Sequence, residues 1–182
     1  MPSFDPSAST SFAHFSTGQL YYLTRADRLQ FTPERFAEVT AICNEPEVYR
    51  WLFRDALAGQ PYPATKAADL FAWAAAGWRE GTHFVFIVTD SEGMIAACCD
   101  IKSADLHGAE IGYWSSRHHR GIMTNAVVRL CELAARSGFK ALTARTRKGN
   151  AASARVLGRA GFSPVAGRDD PVYDHFRRVL GG

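Results

Sequence analysis

The 182-residue sequence predicts a mixed α/β (α+β) fold, a central sheet of about six to seven strands with helices. Three observations carry this. Apolar residues in the first half recur at helical spacing. The middle switches to runs of β-branched and aromatic residues divided by a turn. The second half then alternates strand, helix, strand, helix and strand.

Residues 1–18, rich in Ser, Pro and Ala, read as a flexible tail ahead of a single domain over 19–182. A strand over 20–24 opens that domain. Thr32, Pro33 and Glu34 read as an N-cap with proline at the first helical position, and Phe36, Val39, Ile42 and Cys43 follow at helical spacing. Asn44, Glu45 and Pro46 break the helix, 47–53 reads as another short helical turn, and 59–63 as loop. From Thr65 a stronger helix follows, with Ala67, Leu70, Phe71, Ala74 and Trp78 on one face.

Residues 83–89 (HFVFIVT) read as a strand, 90–93 as a turn and 94–101 as the returning strand. Residues 109–115 (AEIGYWS) are a further strand. A helix over 123–137 stops at Gly138, and 141–145 is again a strand. The helix over 150–160 has Gly161 just past its end, the usual position for the left-handed residue that closes a helix. Short strands near 162–165 and 172–178 close the chain.

Composition narrows the class. The hydrophobic share of 47% and charged share of 21% are ordinary for a soluble protein. A net charge of +3 suits an anionic ligand such as a nucleotide, but no Lys/Arg stripe marks a nucleic-acid face. The apolar stretches are broken well before membrane-spanning length. Residues 1–16 lack the basic start and apolar core of a secretory signal. Cys43, Cys98, Cys99 and Cys131 form no CxxC pair and read as buried thiols of a cytoplasmic protein. His118 and His119, being adjacent, point in different directions, and no Cys or carboxylate stands at ligand spacing, so no metal is expected.

Two stretches carry chemistry. In NAASARVLGRAGF, Asn150 is a good N-cap, Ser153 lies three residues on along the same face, and Val156, Leu157 and Ala160 form the apolar stripe. RHHRGIMT stands between a strand and a helix. Its Gly121 lets the chain pass close to a ligand, Arg117 and Arg120 add charge, and the helix start at Ile122, Met123 and Thr124 presents unpaired N–H groups. Together these suit a pyrophosphate. Each stretch alone also reads as structure: a well-capped helix, and a basic strand-to-helix loop.

The strand EIGYW (110–114), the RG of Arg120 and Gly121, the helix IMTNAV (122–127) and the later N-x-x-S-x-R-V-L-x-x-x-G-F together resemble the GNAT superfamily of N-acetyltransferases. The resemblance is closest to its ribosomal-protein-alanine branch, whose first helical region NEPEVYRWL (44–52) is similar to. It covers roughly 20–180. The loop departs from the family's Q/R-x-x-G-x-G/A: started at Arg120, the pattern puts Met123 and Asn125 where small residues are expected; anchored on Gly121 as the second glycine, the loop is shorter by two residues. Both alignments keep positive charge and a helix N-terminus at the pyrophosphate.

The resemblance implies acetyl transfer from acetyl-CoA to a primary amine, without a metal. It implies a mixed, mostly antiparallel sheet flanked by helices and splayed between its fourth and fifth strands, with the pantetheine arm paired to the backbone of Tyr113 and Ser115. The cofactor positions it implies are Tyr113, Ser115, Arg117, His119, Arg120, Gly121, Ile122, Met123, Thr124, Asn150 and Ser153. Glu110 is the candidate base, or a strand-end surface carboxylate; Ser153 the candidate donor to the departing sulfur, or a packing residue; Tyr173 a second candidate acid. Gly112 is expected to leave the face beside Glu110 open. Trp51, Trp73 and Trp78 are candidates for an acceptor cleft, Trp78 also for the core. The acceptor is a protein N-terminus or a small-molecule amine, and the chain a monomer or homodimer. A non-catalytic GNAT-fold module that binds acyl-CoA or a partner protein is the alternative.

Overall fold

The computed structural model describes residues 1–5 and 7–181. They form one eight-stranded sheet in the order β1-β2-β3-β4-β5-β6-β8-β7, with the two-residue β7 (Ser163–Pro164) at one edge. β3 (Phe84–Asp90) and β4 (Ile95–Ile101) form its centre and are buried along almost their whole length. Alternation sends Phe84, Phe86 and Val88 to one face, and Val85 and Ile87 to the other. Both faces are therefore apolar, and each needs helices over it.

On one face lie α1 (Pro33–Cys43) and α3 (Ala64–Glu80), which bury Val39, Ile42, Phe71 and Ala74 against Val85, Ile87 and Cys98. Thr32 caps α1 by accepting from the Arg35 N–H, with Pro33 behind it as the sequence predicts. Between these helices run α2 (Pro46–Val48) and a π-helical turn, Tyr49–Phe53. On the other face lie α4 (Met123–Arg136) and α5 (Ala151–Arg159), packing Leu130, Val127 and Leu157 onto Phe86, Ile111 and Leu142.

β5 (Ala109–Ser115) is antiparallel to β4 and parallel to β6 (Ala141–Arg147). The parallel pairing covers only Ala109↔Leu142, Glu110↔Thr143 and Ile111↔Ala144. Beyond Ile111 the strands part: β5 keeps β4 as partner to Ser115, while β6 continues to Arg147 along β8 (Tyr173–Val179). This is the splay expected between the fourth and fifth strands of the sequence reading.

The expected loose tail is a correction. β1 (Ser9–Ala13) is an edge strand antiparallel to β2 (Leu20–Arg25), which makes the count eight rather than six to seven. Ahead of it, Phe4 packs among Trp78, Phe84 and Phe139 with ring centroids 5.2, 4.6 and 6.1 Å away. The apolar area of Phe4 and Phe12, buried against the core, offsets the chain entropy of ordering this segment.

Candidate active site

The parting of β5 and β6 opens a cleft of about 1010 Å³ that reaches both faces of the sheet. Strand alternation sorts its walls. Tyr113 and Ser115 point toward α4 and α5; Glu110 and Gly112 point toward α2.

On the α4–α5 side, Arg117, Arg120, Gly121, Met123 and Thr124 line the cleft, as do Asn150 and Ser153. α4 begins at Ile122 with no side-chain cap, so its first-turn N–H groups are left for a ligand. Gly121 has φ +92°, and a Cβ there would lie 2.8 Å from His14 Nε2. His14 stands on the β1–β2 turn. Its Nδ1 faces the N–H groups of Ser16 and Thr17 at 3.2 and 3.3 Å, so it accepts. Nε2 therefore carries the proton and donates to the Arg120 carbonyl at 2.9 Å. With Asn125 Nδ2 donating to the Ala13 carbonyl at 2.9 Å, the N-terminal hairpin is tied to this loop, and Phe15 at its tip overhangs the cleft.

Asn150 is the N-cap of α5, its Oδ1 accepting from the Ser153 N–H at 3.1 Å. Gly161, with φ +81°, closes the helix, and the Phe162 N–H returns to the Leu157 carbonyl. The Tyr113 hydroxyl donates to the Ser153 carbonyl at 3.2 Å and lies 2.8 Å from Ser153 Oγ. Burial pushes the Tyr113 phenol up to about 12, so it stays a neutral donor at neutral pH.

Two predicted positions fall off the cleft. Ile122 is fully buried in the core. His119 is turned away, its Nδ1 3.0 Å from the Tyr21 hydroxyl and its ring edge-on to Tyr21. Neither lines the cavity.

On the α2 side, Arg145 holds both oxygens of Glu110, and its guanidinium lies over the Tyr173 ring at 5.0 Å. Asp170 fixes the start of β8 by accepting from the Val172 and Tyr173 N–H groups and from His175 Nε2. These bonds hold its carboxyl well below the usual carboxylate range. Arg147 reaches Asp55 at 2.8 Å and so ties β6 to the segment after the π-helical turn. Glu45 accepts from Ser116 Oγ at 2.8 Å and from the Arg117 N–H at 2.6 Å.

The sequence reading expected the space over Gly112 to be open, but it is occupied. Lys102 Nζ would stand 2.6 Å from a Cβ at this position, and the Asp100 carboxylate oxygens 3.0 Å. Trp51 lines the cleft, and so do Glu45, Lys102, Arg145 and Arg147, which sequence reasoning did not assign to it. Trp78 is core, its Nε1 donating to the Val85 carbonyl, and Trp73 stacks on His83. Among the described residues no group of three or more His, Cys, Asp or Glu could hold a metal ion, and no helix is long and apolar enough to cross a membrane.

Comparison with known proteins matches these features to a family. No curated protein sequence matches the chain. A ribosomal-protein alpha-N-acetyltransferase bound to coenzyme A superposes with TM-score 0.71 at 14% identity, over 94% of this chain and 98% of that one. A ribosomal-protein alanine acetyltransferase from Vibrio fischeri gives 0.70 at 16%, over 95% and 97%. A spermidine N-acetyltransferase from Vibrio cholerae, bound to CoA and spermine, gives 0.68 at 10%, over 88% and 95%. At these identities the likeness is one of fold. The acetyltransferase (GNAT) domain model matches residues 29–163, most of the sequence, and the chain belongs to that family.

Proposed function

We propose that the protein transfers the acetyl group of acetyl-CoA to a primary amine. The observation that carries this is the split between β5 and β6, with the uncapped start of α4 on one side of the cleft and the α2-side wall on the other.

The residues present fit the cosubstrate. The first-turn N–H groups of α4, with Gly121 and the charges of Arg117 and Arg120, would hold its pyrophosphate. The β5 backbone at Tyr113 and Ser115, free of β6, would pair with the pantetheine arm and present an N–H toward the thioester oxygen. Bound acetyl-CoA supplies the activated acetyl group; the protein must supply a neutral amine and a partner for the thiolate. Amines ionise with pKa about 8 at an N-terminus and about 10.4 at a lysine, so a proton must leave. Glu110 is the proposed base, directly or through water. Ser153 Oγ, 2.8 Å from the Tyr113 hydroxyl, would turn its O–H from Tyr113 toward the departing sulfur.

Neighbours of the same fold act on ribosomal-protein termini and on a polyamine, so a protein N-terminus and a small amine both stand as acceptors. Calorimetry with acetyl-CoA, paired with a thiol-release assay over N-terminal peptides and small amines, tests the reading. Heat of binding and thiol release with one amine class are expected. Binding without release on every amine would replace it with a non-catalytic acyl-CoA-binding module.

A further inference from the structure

We propose that Lys102 is itself an acceptor of the acetyl group, so that the chain modifies its own acceptor face; this rests on the acetyltransferase reading above. Lys102 follows directly on β4, and its ammonium meets Asp100 Oδ1 at 3.2 Å. That oxygen is buried and has no hydrogen bond in the structure, so the Lys102 contact is a charge contact. Nζ lies over the backbone of Gly112, 2.6 Å from where a Cβ would be. Gly112 is the first residue of β5 beyond its last pairing with β6. A primary amine is thus tethered at the mouth of the split, one residue from Tyr113 and on the opposite face of the strand from Ser153. Any side chain at 112 would displace it.

Lys66, Lys140 and Lys148, the other lysines of the chain, are exposed and do not line the cleft. Lys102 differs from them in place, and its half-exposed side chain lets water reach Nζ.

The step balances. The Lys102 ammonium gives its proton to the Asp100 carboxylate, which passes it to water. The neutral Nζ attacks the thioester carbonyl; the N–C bond forms and the C–S bond breaks. The thiolate leaves with the electron pair and takes up the second proton, which the nitrogen loses as the amide forms. The resulting amide has no charge to set against Asp100.

The test uses the full chain incubated with acetyl-CoA, followed by intact mass and peptide mapping, alongside calorimetry and thiol release on the amine panel. Tethering raises the local amine concentration, so Lys102 is expected to carry acetyl about tenfold or more faster than Lys66, Lys140 or Lys148. Its rate should be independent of protein concentration, as for transfer within one chain. Lys102→Arg should abolish the fast label in the intact mass. Turnover on external amines with Lys102 labelled no faster than the other three, or no faster than in heat-unfolded chain, overturns the proposal and leaves the acetyltransferase standing. Absence of both acetyl-CoA binding and thiol release overturns the two together.

Discussion

Arg145 on β6 grips both carboxylate oxygens of Glu110 on β5, Nε to Oε2 at 2.7 Å and Nη2 to Oε1 at 3.2 Å. The fork bridges the strands where their backbone pairing ends. Both side chains keep access to water, 46% for Arg145 and 26% for Glu110, so the pair adds only about 0–1 kcal/mol of stability. General-base assistance is worth roughly 10²–10⁴-fold in rate. The two roles therefore separate by magnitude. Glu110→Gln is expected to leave denaturant unfolding within about 1 kcal/mol of the parent. It should lower turnover about 10²-fold or more. Near-normal turnover from pH 6 to 9 would make the carboxylate a strand bridge only.

Tyr113 provides a second handle. Burial pushes its phenol from the ordinary 10.0 up to about 12, and Tyr62 is raised further by burial beside Cys43. The sign follows from linkage. The unfolded chain ionises these phenols near pH 10, before the folded chain does, so their contribution to stability is full below pH 10 and lost as pH rises toward 12. Absorbance titration of the phenolate band should show Tyr113 and Tyr62 lagging the exposed tyrosines in native protein and joining them in denaturant. Tyr113→Phe should remove one lagging group and cost about 1 kcal/mol for the lost bond to Ser153.

Central strands and capped helices were legible because each is a local pattern. β3 and β4 are short apolar runs around a turn, and Thr32 and Asn150 sit where a helix needs its cap. β1 was hidden because it is an edge strand in which only Phe12 is buried, and Phe4 gains its place from residues 74 and more positions away. At the site, Gly121 before a helix start carried the α4 end. Not legible were side-chain directions set by tertiary packing: Ile122 into the core, and His119 toward Tyr21. The α2-side wall of the cleft draws on α2, Lys102 after β4, β6 and β8, which no single stretch displays. The one local sign was Asp100, a lone acid in the otherwise apolar IAACCDI.

Asn150 joins fold to site through one side chain. Its Oδ1 is committed to the Ser153 N–H, and its Nδ2 is the part that can serve a ligand in the cleft. Asn150→Ala should cost about 1 kcal/mol of stability through the cap alone. If the side chain also touches acetyl-CoA, calorimetry should show weaker binding in the folded variant. Asn150→Asp keeps the cap acceptor and removes the amide donor, so it should restore stability without restoring affinity. Equal affinity in all three proteins would make the residue a cap and nothing more.

Gly121 is constrained twice, by its left-handed backbone and by His14. A non-glycine residue at φ +92° is strained by about 1–2 kcal/mol. A Cβ at 2.8 Å from His14 Nε2 must in addition push the β1–β2 turn away from the Arg120 carbonyl. The two costs can be told apart. Gly121→Ala should lower stability and weaken acetyl-CoA about tenfold, near 1.4 kcal/mol, if the loop cradles the pyrophosphate. Adding His14→Ala removes the steric part and leaves the backbone strain. Affinity that recovers in the double variant would assign the loss to the displaced hairpin; affinity that stays low would assign it to the loop conformation itself. Affinity unchanged in folded Gly121→Ala would remove this loop from the cosubstrate site.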